Sequence, residues 1–204
     1  MKQNNAPSFE QKEYFAEIIE SSLEGFLAQC WEWNFFPSFG SLVQVENKDE
    51  VTLGVVTQIQ TGSMDPMRYP FPYQKTEEEL LNEQPQIFEF LKTTFKVQIV
   101  GYLQKDKFYY LLPSKPCKIH AFVKNTKQIT SVNFFSNSDF LHLLFAFSNQ
   151  ITNLDELLLA ILKQINEQKQ LTSQKLDSFC QTFSLLTGND YRRLKLFLKR
   201  VENL

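Results

Sequence analysis

The chain changes its hydrophobic period part-way along. Up to about residue 123, apolar and polar residues alternate in short runs, the period-two mark of half-buried strands. In "VTLGVVTQIQ", Val51, Leu53, Val55, Thr57 and Ile59 fall on one face. "SLVQVEN" precedes it across the turn "NKDE", which predicts a hairpin. "KVQIVGYLQ" places Val97, Ile99, Gly101 and Leu103 together, and "FYYLLP" after "KDK" predicts a second hairpin. "KIHAFV" aligns Ile119, Ala121 and Val123. Gly54 and Gly101 sit inside these runs, where glycine fits a bulge or a barrel corner better than a flat sheet. "YFAEIIESSLEGFLAQCWEW" reads equally as one helix or as two strands joined at "SSLEG".

After about residue 137 the period becomes helical. Leu154, Leu157, Leu158, Ile161, Leu162 and Ile165 form one stripe, with Asn153 as N-cap and Glu156 three residues on. A second helix runs from about Thr172 with Leu176, Phe179, Phe183 and Leu186 inward, and Gly188 closes it. A third carries Leu194, Phe197, Leu198 and Val201. "SDFLHLLFAFS" is apolar nearly all round and predicts a buried helix, with His142 as a satisfied core histidine. All eight prolines lie at or before Pro116, so turns concentrate in the first part.

Between the two periods of the first part lies "TGSMDPMRYPFPYQKTEEELLNEQPQIFEFLKTTF", residues 61–95. Pro70 and Pro72 push their predecessors into extended geometry, which aligns Tyr69, Phe71 and Tyr73 along one side of a strap. Thr76 and Glu79 have capping-box spacing, and three glutamates suit a helix N-terminus. Pro85 opens a new turn, after which Ile87, Phe88, Leu91 and Phe95 make an apolar face. The pattern predicts a kinked helix plugging one end of a small barrel.

Residues 15–30, 39–66, 73–102 and 112–123 together resemble the HerA/ATP-synthase barrel family, the HAS barrel, over roughly residues 12–125. The resemblance implies a small six-stranded barrel and two N-terminal strands rather than a helix. In that family the barrel precedes ring-forming ATPases, where it packs against other barrels or receives accessory proteins. No GxxxxGK[ST] loop stands in this sequence, so the resemblance is to a member without the motor. The expected fold is α+β: a closed six-stranded β-barrel over 12–125 with the insert 61–95, a linker over 126–137 and a helical domain over 138–204. Residues 1–11 are expected to be flexible.

Charge and candidate chemistry narrow the function. A net charge of −2 and a pI near 5.8 are unlike a dedicated duplex binder, whose affinity rests on phosphate neutralisation. Cys30, Cys117 and Cys180 have neither disulfide nor zinc-ligand spacing. Cys117 and His120 stand three apart in an expected strand, which points them to opposite faces, and "EEE" at 77–79 cannot converge on one ion. No catalytic constellation, metal site or cofactor is therefore expected. No apolar leader or 18-residue apolar run stands in the sequence, and a cytoplasmic setting, or the stroma or matrix of a bacterially derived organelle, is expected. The expected role is a non-enzymatic adaptor or assembly module that docks on a larger protein complex, such as a multi-subunit or ring assembly. Trp31, Trp33, Arg68, Tyr69, Phe71 and Tyr73 are its candidate contacts, one tryptophan exposed and one buried. The alternative is nucleic-acid binding through Arg192, Arg193, Lys195, Lys199 and Arg200; these read equally as a solvated helix face with cations near its C-terminus.

Overall fold

The computed structural model describes residues 13–65, 67 and 70–204. The stretch 1–11, expected to be flexible, lies outside the described residues. The ambiguous N-terminal run forms two strands, β1 (Ala16–Ser21) and β2 (Gly25–Cys30). The Ser22 hydroxyl holds the turn between them by accepting from the backbone N–H groups of Glu24 and Gly25. A β-carbon at Gly25 would stand 2.3 Å from the Val97 carbonyl oxygen, so only glycine lets β2 approach this closely.

Next come β3 (Leu42–Glu46) and β4 (Val51–Ser63), the short helices α1 (Glu77–Glu83) and α2 (Gln86–Glu89), then β5 (Leu91–Gln104), β6 (Lys107–Tyr109) and β7 (Phe122–Asn125). All pairings are antiparallel, in the order β2-β1-β7-β3-β4-β5-β6, and β2 also pairs with β5. That last pairing closes a six-stranded barrel and leaves β6 as a short extra strand on β5. β2 and β3 lie opposite each other in the ring, so the connection between them has to cross one end of the barrel. The connection to β7 crosses the other end.

Five α-helices follow: α3 (Gln128–Phe134), α4 (Phe140–Ala146), α5 (Leu154–Glu167), α6 (Ser173–Leu186) and α7 (Tyr191–Val201). Residues 126–137 are not a bare linker. They hold α3, whose Phe134 is fully buried. The Asn153 and Thr172 side chains cap α5 and α6. Gly188 adopts a left-handed φ of +65° and ends α6: its N–H donates to Leu185 and that of Asn189 to Ser184.

Two cores share the barrel wall. The inner one holds Phe15, Ile18, Phe26, Val45, Phe95 and Ile99. In the outer one, Leu42, Leu53, Val55 and Val100 of the strands pack against Leu141, Leu157 and Phe183 of the helices. The helices are thus built onto the barrel wall.

This double burial corrects the single-face reading of two strands. Leu53 and Val55 face the helices, whereas Val56 and Ile59 face the interior, because β4 carries an extra residue at Thr57. In β5 an extra residue at Val100 has the same effect: Val97 and Ile99 point inward, and Leu103 packs against the helices. Gly54 and Gly101 flank that second irregularity, as glycines at a bulge do.

Four further expectations are corrected. The segment Leu91–Phe95 continues β5 instead of forming a helix, since Leu91–Thr94 pair with Gln60–Ser63. Threonines at 93 and 94 favour that choice. The helices of the insert bury no residue and do not plug the barrel. In α4 only Phe140, Leu141 and Leu144 are buried, and His142 is exposed on the opposite side. Ile119 and His120 precede β7 in a turn, with His120 at a left-handed φ of +66°.

Candidate docking surface

The end of the barrel crossed by residues 31–41 is dressed in aromatic side chains. Phe35 meets the core residue Phe15 edge-on at 5.9 Å, so this loop closes the barrel end. Trp31 is exposed and meets Phe122 edge-on at 5.2 Å. Trp33 is half-buried and stacks on Phe88 of α2 at 5.5 Å. The Thr93 hydroxyl donates to the Trp33 carbonyl. Through these contacts the loop and the insert become one surface.

Beyond the barrel, β4 and β5 continue as a two-stranded ribbon, Gln60–Ser63 against Leu91–Thr94. The insert leaves and returns at its tip. Thr76 caps α1 with both halves of the expected capping box, and the bonds Thr76 gives hold the Glu79 carboxyl below its ordinary range. α2 is a single turn after Pro85. Between strap, α2 and ribbon lies a groove of about 400 Å³, lined by Pro70, Phe71, Tyr73, Ile87, Phe90 and Leu91.

Phe71 is 71% exposed and meets Tyr73 edge-on at 5.7 Å, as an extended strap with alternating rings requires. Arg68 and Tyr69 lie outside the described residues. Phe90 (54% exposed) and Met67 (89%) add apolar surface that sequence reading did not single out. The one available signal was the aromatic alternation in "IFEF", which the helical reading absorbed.

The five cations of α7 separate into two groups. Arg193 makes two bonds to Asp155, the shorter 2.6 Å, and lies over the rings of Phe145 and Phe183. Arg200 pairs with Glu156 at 2.6 Å. Both are therefore ties between α7 and the start of α5. Arg192, Lys195 and Lys199 are exposed on α7.

Nor do the nucleophile candidates assemble into a site. His120 Nδ1 lies 2.5 Å from a Glu17 carboxylate oxygen. Cys117 is buried beside Thr52 and Asn47, and burial raises its pKa. Burial also pushes the Cys30 thiol up to about 12 and raises that of Cys180. None of the three is poised as a thiolate. Among the described residues no group of three His, Cys, Asp or Glu side chains is placed to hold a metal ion, and no helix is long and apolar enough to cross a membrane.

A closed small barrel of antiparallel strands with an aromatic end defines a β-barrel domain. The family comparison points the same way: residues 15–105 match the model of the HAS barrel domain. A search of curated proteins gave no match.

Proposed function

We propose that the chain is a non-catalytic adaptor or assembly module that docks on a larger protein complex through the barrel end and its strap. The observation that carries this reading is the solvent exposure of Phe71 and Phe90 on either side of one groove. Rings held out of the core beside a concave surface favour a macromolecular partner. The groove's lining is mostly apolar walls and the amides of Gln84 and Gln86, with the Ser63 hydroxyl and the single carboxylate of Asp65 at its edge.

The second reading is nucleic-acid binding, and Arg192, Lys195 and Lys199 are the cations left to serve it. Affinity purification from native extract, with and without nuclease, separates the two. The adaptor reading expects a stoichiometric protein complex that survives nuclease and is lost from Phe71→Ala/Tyr73→Ala chains that fold normally. An unchanged complex with that double variant overturns it. Loss of all partners on nuclease treatment, with binding that weakens as salt rises, favours α7 and nucleic acid instead.

A further inference from the structure

On its β4 side the ribbon at the barrel end is an open edge among the described residues. β3 pairs with β4 over Val51–Val55 only. The last covered residue is Val56, whose N–H donates to Ser41 at 3.0 Å and whose carbonyl accepts from Gly40 at 2.9 Å. β4 then runs on to Ser63, paired on its other side to β5. Among the described residues no strand pairs with the outer side of that continuation.

The direction of the free groups follows from alternation. The Met64 N–H donates to Phe90 across the ribbon at 2.7 Å, so Met64, and with it Gly62 and Gln60, directs its main chain at β5. Ile59, Thr61 and Ser63 direct theirs the opposite way, into the open edge. The extra residue at Thr57 is what brings this parity into line with Val56.

Natural edges are blunted by charge or proline. This one, "TQIQTGS" over 57–63, has neither. The lysines of the ribbon, Lys92 and Lys96, stand on β5, one strand in from the edge. The edge ends at Ser63, which lines the apolar groove with Phe71, Tyr73, Ile87 and Phe90. Around that groove the insert is acidic: residues 64–90 carry six carboxylates against Arg68 and Lys75.

We propose that the partner binds by adding an extended strand to the Ile59–Ser63 edge of β4. The strand's backbone takes up the main-chain groups of Ile59, Thr61 and Ser63. One of its apolar side chains enters the groove, and flanking lysines or arginines meet the acidic insert. Strand addition gives affinity through backbone bonds and selectivity through alternate side chains. This inference rests on the docking reading above and specifies its mode.

The test selects a phage-displayed library of random 12-residue peptides against the full chain. Expected winners alternate apolar and polar residues, carry a basic flank and contain no central proline. Thr61→Pro removes one outward N–H without touching a β4–β5 backbone bond, and weakens the winning peptide at least ~10-fold. Thr61→Val, which loses the hydroxyl bond to Thr93 but keeps the N–H, stays within about twofold. Binding slows amide exchange at Ile59, Thr61 and Ser63. N-methylation of alternate peptide residues abolishes binding, and N-methylation of those between does not.

No enrichment, helical spacing in the winners, or binding indifferent to Thr61→Pro overturns the proposal. So does a concentration-dependent dimer that Thr61→Pro dissolves, since a second copy would then fill the edge. If Phe71→Ala/Tyr73→Ala abolishes native complex formation while Thr61→Pro leaves it intact, docking stands and strand addition falls.

Discussion

Trp33 lies nearly parallel to Phe88, 5.5 Å between ring centres and 21° between planes, and so fastens the loop across the barrel end to the insert beyond it. No residue of α1 or α2 is fully buried, so this stack is a main tie holding the insert. Trp33→Ala is expected to cost about 2 kcal/mol, below the range for a fully buried tryptophan because this one is half-exposed. The sharper signature is local. Amide exchange in Gln86–Glu89 should accelerate in Trp33→Ala beyond the change in global stability. Exchange that rises only in step with global unfolding would show that the stack does not anchor α2.

Two glycines should respond oppositely to the same substitution. A β-carbon on Gly101 would stand 2.4 Å from the Tyr109 carbonyl oxygen, where β6 crosses close to β5. Gly101→Ala must push that hairpin away and is expected to destabilise by 2 kcal/mol or more, roughly the scale of an overpacked core site. Gly62 has open space around it. Gly62→Ala should be neutral or stabilise by up to ~1 kcal/mol, through the unfolded chain's lost freedom. Chemical denaturation of both variants decides the matter.

How much of this was legible in the sequence depends on what each residue faces. The helical stripe of α5 was readable in all six residues it named, because a period that nothing interrupts marks the buried side; Leu159, buried beside that stripe, was missed. The strand runs were readable as strands, but their faces were not. Leu53 and Val56 are both buried, against different cores, and alternation cannot assign a side when both sides are apolar. The insert misled for a related reason. Phe88 and Phe95 have helical spacing, yet the chain between them turns into a strand at Leu91, because β4 is long enough to pair with it. Likewise, charge type alone could not separate Arg193 from Arg192, since the distinction rests on Asp155 thirty-eight positions away.

That distinction is itself testable. Arg193 bridges to Asp155 and lies over the buried ring of Phe183 and the half-buried ring of Phe145, whereas Arg192 is exposed. Arg193→Ala is expected to lower stability by about 1–2 kcal/mol, and Arg193→Lys to recover only part of it, because an ammonium cannot reproduce the forked, stacked contact. Arg192→Ala should stay within about 0.5 kcal/mol of the native chain. Equal effects of the two alanine variants would remove the assigned role of Arg193 as a tie between α7 and α5.

The acid side of the stability profile should carry the mark of Glu46. Its carboxylate accepts from Lys124 at 2.7 Å and from the Tyr14 hydroxyl at 3.0 Å. The Lys124 bond, with help from Tyr14 and against a smaller effect of burial, holds the Glu46 carboxyl below its ordinary range. Burial alone would lower the Lys124 pKa, but its bonds to Glu13 and Glu46 more than offset this and raise it. The sign follows by linkage. Below the ordinary glutamate value, about 4.3, the unfolded chain takes up a proton at this position before the folded one does. The contribution of Glu46 is therefore complete above that value and is lost as pH falls through the depressed folded one. Melting temperature should decline across that acid window, and Glu46→Gln should flatten this part of the decline while lowering stability at neutral pH. Lys124→Met should move the Glu46 titration, followed by carbon NMR of its carboxyl, back up towards the ordinary range. A Glu46 midpoint that ignores Lys124→Met would show that the coupling across β3 and β7 does not hold the carboxylate.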